Sequence, residues 1–563
     1  MLCSSGGTMK KVLTSLLVFS LGVLLFSQVP DWHWAQGFGS AADDYAFGLA
    51  VDAAGNNYVG AWFQGTVQFG NTSLTSFGDV DIAVIKLDNA GNVLWVRQAG
   101  STTFDCCNGI AVDAGGNVYI TGSFTDTAQF GDISVTSDGQ NDIYVAKLDS
   151  DGTWQWVSTA GGTAFDRGRD IALDSEGNPY ILGFFNETGY FWANTLVSSG
   201  QNDIFVAKLD SEGTWLWAVK GGGASYDYPS ALCLDNSDNV FVCGYFMSTA
   251  SFGDYSITSA GYTDSFVAKL GPDHIWQWAR RTGGNGYQEL DAAEDAIIDP
   301  AGNVYLCGEF YATADCGPYQ LTNNGQCDLY IAKLDTDGNW QWVVTAGSTS
   351  YDYATSLSLD NAGNLYLLGS YSATMQLGSV QLSTQQWCYS TVIAKLNTSH
   401  IWEWAIQSNG SADVTGVPLS RDPAGNLYLA GTYSGSCSFG THALTNAGAR
   451  DIFVVRAGSF TGADDETVSS SSLFSKVSAC PNPFISQAKL DFTLASPASC
   501  DIIIYDAKGR TVRHLHSGSL NSGSHALVWN GRDDNGKPVT SGVYLFSINS
   551  GDITHTGKIL HLQ

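Results

Sequence analysis

The chain has 563 residues with 54 Asp and Glu against 25 Lys and Arg, and its formal net charge of −29 argues against nucleic acid, which needs a basic face to neutralise phosphates. Gly (64), Trp (17), Tyr (25) and Phe (27) are abundant, which suits short strands joined by turns at positive φ and predicts an all-β fold with almost no helix. The length exceeds a single hydrophobic core and calls for several domains or a large repeat ring.

From Met9 the chain reads MKKVLTSLLVFSLGVLLFS, two lysines followed by an apolar run of about 15 residues and a small residue. This is the layout of a secretory signal peptide over residues 1–28, with the start at Met9. A transmembrane anchor is the competing reading, but the run is short for a ~20-residue span.

Beyond it, the string D-x-x-G-N (with Asp238 in place of Gly in one copy), followed by an aromatic and apolar residues, begins at Asp52, Asp113, Asp174, Asp235, Asp299, Asp360 and Asp422. The spacing is 61 residues, stretched once to 64 and once to 62, so one supersecondary unit is stacked on itself. Repeat three shows its content: DIALD, a tight turn, PYILGFF, a loop of roughly 15 residues, DIFVAKLD, a second tight turn and TWLWAVK. The long loop, which often carries Phe-Gly as at Phe130-Gly131 and Phe252-Gly253, is expected to form a small hairpin of its own. The fourth strand carries Trp at alternate positions (154 and 156, 215 and 217, 276 and 278, 340 and 342, 402 and 404), and a period of two predicts both rings on one face as inter-sheet core.

The array's ends are complementary. Trp32 and Trp34 open it as a Trp-x-Trp strand without predecessors, and repeat seven stops after Asp451–Gly458 without a Trp strand. Docking one beside the other removes an exposed edge and predicts a seven-bladed β-propeller over residues 29–458, closed by the N-terminal strand. Trp32 to Arg456, with A-V-D-x-x-G-N-x-Y and D-x-F-V-A-K-L-D-x-x-G-x-x-x-W, resembles the bacterial SBBP β-propeller repeat family. The resemblance implies a propeller and little about activity.

Departures from the motif have physical readings. Asp238, His274 and His400 replace turn glycines, and are expected as turn residues at positive φ. Lys86, Lys147, Lys208, Lys269, Lys333, Lys395 and Arg456 put a cation on every third strand, read as an ion pair within the blade or a stem lying over the surface.

The long connections share one end of the blades, and that end carries two recurring sets of carboxylates. One is Asp44, Asp105, Asp166, Asp227, Asp291 and Asp352, broken by Val414; the other is Asp81, Asp142, Asp203, Asp264, Asp328 and Asp451, broken by Thr391. A ring of carboxylates suits Ca²⁺ or a cationic ligand. The same aspartates, accepting backbone N–H bonds, would lock their own loops, and repetition favours this role. LDTDGNW, 334–340, lacks the spaced third acid and terminal Glu of a calcium loop, and no other cofactor is implied.

A ligand site belongs where symmetry fails, and the candidates are the lengthened loop GNGYQELDAAED (284–295) with Glu289, the loop with Trp192, and Trp387 beside Cys388. No catalytic set can be assigned among them. The 12 cysteines show no paired C-x-x-C zinc pattern; Cys233 with Cys243, Cys316 with Cys327 and Cys480 with Cys500 are the candidate disulfides.

After a polar linker at 459–478, residues 479–563 read as a small β-sandwich. Its strings PNPF, IYDAKGRTVRHL, WNGRDDNGKPVTSGVYLF and KILHL resemble the Ig-like domain of the flagellar hook-cap protein and of type A C-terminal sorting domains of the type IX secretion system. Asp533 and Asp534 are read as turn acids. With the signal peptide, the resemblance implies export by the type IX machinery to the surface or surroundings of a Gram-negative cell. Two functions remain: a non-enzymatic scaffold binding an extracellular glycan or protein, or an extracellular hydrolase or lyase of polysaccharide with its acids in the asymmetric loops.

Overall fold

A computed structural model describes residues 29–286, 290–384, 388–458, 474–480, 484, 486–494, 496–506, 510–550 and 553–561. The expected signal peptide, Glu289 and Trp387 lie outside these residues. The chain divides into two compact units, Met1–Ala457 and Gly458–Gln563. All regular structure in the described residues is strand.

The repeat motif folds because its Asp organises the first turn. In repeat two, Asp113 Oδ1 accepts the backbone N–H of Gly115 and Asn117, each at 2.9 Å, and Oδ2 accepts Asn117 Nδ2 at 2.7 Å. Gly116 sits at φ 79°, open to Gly without a Cβ clash. The aromatic two residues beyond the Asn joins in: the Tyr58 hydroxyl donates to Asp52 Oδ2 at 3.1 Å. Asp, Gly, Asn and Tyr of D-x-x-G-N-x-Y are therefore one hydrogen-bonded device.

Each repeat builds an antiparallel sheet. In repeat two the order is Trp154–Ala160, Asp142–Leu148, Val118–Phe124, Cys106–Val112, from fourth strand to first. The seventh sheet takes its fourth strand from the N-terminus: Asp31–Phe38 lies beside Asp451–Gly458, then Leu427–Tyr433 and Val414–Arg421. The fold is all-β and β-propeller-like.

The tryptophan doublets do not share a face. Lys208 pairs with Trp217 and Leu209 with Trp215, so Leu216 is the extra residue of a β-bulge, and four other doublets show the same shift. The bulge breaks the period of two and turns the rings to opposite sides. Trp215 packs with Phe191 and Phe205 and donates to the Thr159 carbonyl of the preceding repeat at 3.0 Å, whereas Trp217 packs beside Leu232 and Phe252. Each inter-sheet core thus joins the second Trp of one sheet to the first of the next: Trp156 with Trp215, Trp217 with Trp276, Trp278 with Trp340, Trp342 with Trp402 and Trp404 with Trp32. Trp34 packs with first-repeat residues Val59 and Ala83. At ~25 cal/mol per Å² and roughly 150–250 Å² per ring, each contributes roughly 4–6 kcal/mol gross.

The long loops do form hairpins: in repeats one, three and five these continue the repeat's own second and third strands, and in repeats two and four they join the preceding repeat's sheet. Ala99 and Gly100 at the end of one fourth strand pair with Phe130 and Gln129 of the next repeat, and Gly222 and Gly223 pair with Ser251 and Ala250. The pairing covers fourth-strand edges that would otherwise be open to other chains. The strand-three cations also reach across: Lys86, Lys147 and Lys269 donate to the carbonyls of Ser150, Ser211 and Thr336 in the next repeat. Lys208 and Lys333 instead pair with their own turn acids, Asp174 at 2.9 Å and Asp299 at 3.5 Å.

Cys233, Cys243, Cys316, Cys327 and Cys500 are free thiols. Register explains the first pair, since Cys233 faces Phe241 and Cys243 faces Ala231. Cys480 has no described side chain.

In the second unit, sheets Phe474–Cys480, Ala488–Leu494, Gly523–Trp529 and Thr511–Leu520, Ala498–Asp506, Gly542–Ser550, Ile553–His561 enclose a core including Phe492, Ile502, Trp529 and Phe546. The strand beginning at Phe474 starts inside the stretch read as linker, because its backbone pairs with Ala488–Leu494. Asp533 Oδ1 accepts the N–H of Asn535 and Lys537, which is a turn role.

Candidate functional site

The seven first strands contact one another in succession, and the seventh, Val414–Arg421, touches the first, Tyr45–Val51. Their N-terminal ends lie on the side of the long connections. At that end the strand-one residue and its strand-two partner are large in several repeats: Tyr45 opposite Trp62, Arg167 opposite Phe184, Tyr228 opposite Tyr245.

The rings join across repeats into a girdle. Trp62 lies edge-on to Phe104 at 5.8 Å and Phe184 to Tyr228 at 5.4 Å, while Tyr353 lies 5.8 Å from Tyr389 of its own repeat. The Arg167 guanidinium bridges Phe104 and Phe165 at 6.0 and 5.7 Å, and Arg450 covers Tyr45 at 5.6 Å. Most of these rings are half-buried, so faces and edges remain open to a ligand. Two cavities indent the girdle: one of about 540 Å³ between Phe104, Asn141, Phe165 and Arg167, and one of about 330 Å³ between Tyr45, Phe47, Tyr389, Asp413 and Arg450. The second lies at the junction where Thr391 and Val414 replace the repeated aspartates, with the Thr391 hydroxyl donating to the Val414 carbonyl at 2.9 Å.

The expected aspartate ring is placed differently. Asp44, Asp105, Asp166, Asp227, Asp291 and Asp352 are at most 3% exposed. Asp105 Oδ2 accepts the Ser101 N–H at 2.5 Å and Oδ1 that of Thr125 at 3.0 Å; Asp166 takes Gly162 and Asn186 in the same way. Asp105 and Asp166 thereby tie the connection before their first strand to the loop after their second, whereas Asp227 and Asp352 hold only the former. The second set stands beside the first across each junction, with a glycine between: a Cβ on Gly161 would lie 2.6 Å from Asp142 Oδ1 and 3.0 Å from Asp166 Oδ2. Burial, aided by the neighbouring Asp, pushes Asp166, Asp227 and Asp352 up to about 7, and Asp44, Asp81 and Asp142 rise to about 6.

Trp192 is 77% exposed at φ 55°, at the tip of a strand-two to strand-three hairpin where Gly131 and Gly253 stand in other repeats. It is not part of the girdle. Among the described residues no three His, Cys, Asp or Glu are grouped to hold a metal ion.

Sequence reading passed over the girdle. The signal lay in the repeat register, where Tyr45, Tyr228 and Tyr353 fall at one position and Trp62, Phe184 and Tyr245 at another, while the fifth repeat has Ala292 and Glu309 there.

Residues 485–552 match the FlgD Ig-like domain family. The chain is 24% identical over 406 residues to the regulatory protein FlaEY of Caulobacter vibrioides, covering 67% of this chain and 42% of that one. It is 23% identical over 240 residues to an uncharacterized WD repeat-containing protein of Acanthamoeba polyphaga mimivirus, covering 36% and 17%. The chain therefore spans less than half the length of these curated relatives. Among solved structures it aligns with PorZ, a surface component of the type IX secretion system of Porphyromonas gingivalis, at 10% identity over 94% of this chain and 100% of that one, TM-score 0.24. It also aligns with a fungal alcohol oxidase solved with copper, at 11% identity over 95% and 100%, TM-score 0.30. At these TM-scores the alignments carry nothing about what the chain binds.

Proposed function

We propose that the first unit is a closed seven-bladed β-propeller of the SBBP type, a non-enzymatic scaffold whose axial mouth binds an extracellular glycan. The observation that carries this reading is the half-exposed aromatic girdle, since sugar rings stack their C–H faces on aromatic rings while Arg and Asn side chains take hydroxyls. Closure is supported by the N-terminal strand in the seventh sheet and by Trp32 and Trp34 entering two different inter-sheet cores.

The second unit serves as the address. Its FlgD Ig-like match, its likeness to type A sorting domains and the N-terminal signal layout support export by the type IX machinery to the surface or medium of a Gram-negative bacterium. A glycan array probed with the intact chain tests the binding: retention of a glycan, weakened about 10-fold or more by Trp62→Ala or Tyr45→Ala, is the expected result. Retention of protein ligands alone would overturn it. Fractionation of the host tests the address, since a chain ending at Gly458 should stop in the periplasm.

A second reading, a polysaccharide hydrolase or lyase, draws on two acids of the fifth repeat: Glu309, opposite Ala292 at the mouth end of the first strand, and Glu294 at the bulge of that strand. Release of new sugar ends, abolished by Glu309→Gln, would favour it.

A further inference from the structure

The hairpin between the second and third strands of repeat three departs from its six counterparts at three positions. Trp192, at the tip, stands where the other repeats have glycine, and it holds φ 55° where those glycines hold 58–61°. Tyr190 stands where they carry Gln68, Gln129, Ser251, Asp315, Gln376 and Ser438. Val197 replaces a threonine or serine present in all six.

These departures cost the fold local interactions and return no packing. A bulky side chain in left-handed backbone is strained, yet Trp192 remains 77% exposed. Val197 gives up a hydroxyl pair: Thr66 with Thr75, Thr127 with Thr136 and Thr249 with Thr258 bond at 2.8–3.0 Å, whereas Thr188 faces the valine. Tyr190 and Val197 are 55% and 59% exposed, while Gly189 and Phe191 beside the tyrosine are buried. Tyr190 pairs with Thr195 and Thr188 with Val197, so the tyrosine and valine are diagonal neighbours on one outward face. Strain and exposed apolar surface gathered at one place of a repeating structure mark a binding role.

Charge and area select the occupant. No residue from Thr188 to Val197 is charged, and the chain's net charge of −29 opposes polyanions and acidic lipid surfaces. The three side chains expose roughly 400 Å² together, about half of the ~800 Å² that a stable protein interface takes from each partner. The Trp192 indole N–H and the Tyr190 hydroxyl have no hydrogen-bond partner among the described residues, and Asn194 and Thr195 stand on the facing strand. Aromatic faces edged with free polar groups suit sugar rings, which are apolar on their C–H faces and carry hydroxyls at the rim.

We propose that this hairpin is a second glycan contact, outside the girdle, that takes the pyranose faces of a neutral polysaccharide. It does not depend on the mouth.

Affinity electrophoresis of the intact chain tests it, in gels carrying hydroxyethyl cellulose, galactomannan or amylopectin as neutral probes and carboxymethyl cellulose as an acidic one. At least one neutral polymer should retard the chain, and Trp192→Gly should weaken that binding about 5-fold or more. Tyr190→Gln should act in the same direction; both substitutions install residues with which other repeats fold. Loss on Trp62→Ala with none on Trp192→Gly would overturn the hairpin site and leave the mouth reading standing, and the opposite pattern would do the reverse. Retardation in none of the neutral gels, or by carboxymethyl cellulose alone, would overturn the hairpin site whatever an array shows for the mouth. A dimer in sedimentation velocity, or binding to phosphatidylcholine vesicles, that Trp192→Gly abolishes would give the patch to a second copy or to lipid and overturn it as well.

Discussion

His274 and His400 sit in left-handed backbone at φ 62° and 60°, a conformation Gly adopts freely and Ala does not. Each ring also packs on the second Trp of the preceding repeat, His274 stacked on Trp217 at 4.2 Å and His400 tilted against Trp342 at 4.3 Å. Losing the stack costs about 0.5–1.5 kcal/mol, and Gly recovers a similar amount from the backbone. His274→Gly should therefore melt close to the parent and His274→Ala below it; the reverse order in thermal unfolding would count against a turn role. The positive φ was legible, because both residues replace a repeated Gly. The ring stack was not, since it joins residues of two repeats.

At the scale of strands, the bulge decides how the sheets pack. Because Trp215 and Trp217 enter different cores, Trp215→Ala and Trp217→Ala should each cost about 3–5 kcal/mol, and the double variant should equal their sum within about 0.5 kcal/mol. Strong coupling in denaturant unfolding would return both rings to one face. The N-terminal strand obeys the same logic. Deleting residues 29–36 removes Trp32 from one core and Trp34 from another and exposes the edge of Asp451–Gly458, so the unfolding midpoint of the first unit should fall markedly. Unchanged melting would contradict closure. Strand order and the seven-fold count could be read from turn signals and periodicity. The bulge could not, because an extra residue in one strand shows only against its hydrogen-bonded partner.

For the whole molecule, the buried aspartates set a pH dependence. Asp166, Asp227 and Asp352 stand at about 7 against an ordinary 3.8, so the native state holds protons that the unfolded chain has released. Their contribution is complete below the ordinary value and is lost as pH climbs through about 7. The turn acids Asp52, Asp174, Asp299 and Asp360 oppose this only in stronger acid, because hydrogen bonds hold them below 3.8 despite burial. The melting temperature should therefore fall from pH 5 to pH 8, and Asp166→Asn should flatten that slope; a rise over this range would refute the assignment. A chain ending at Gly458 should keep the melting transition of the first unit, since the two units are separately compact and each has its own core. Loss of that transition would show the second unit to be part of the fold.

The sequence by itself determined the all-β class, the seven repeats, their turns and the separate tail, because these rest on local patterns: Asp, Gly and Asn at fixed offsets and apolar residues at every second position. Tertiary structure decided where the carboxylates and rings point. Whether Asp166 faces solvent or sits buried beside Asp142, and whether Trp217 shares a core with Trp215 or with Trp276, depends on inter-sheet contacts roughly one repeat away. The aromatic cluster at the N-terminal ends of the first strands likewise shows only when the register sets Tyr45, Tyr228 and Tyr353 at one position and the contacts between successive first strands bring their repeats side by side.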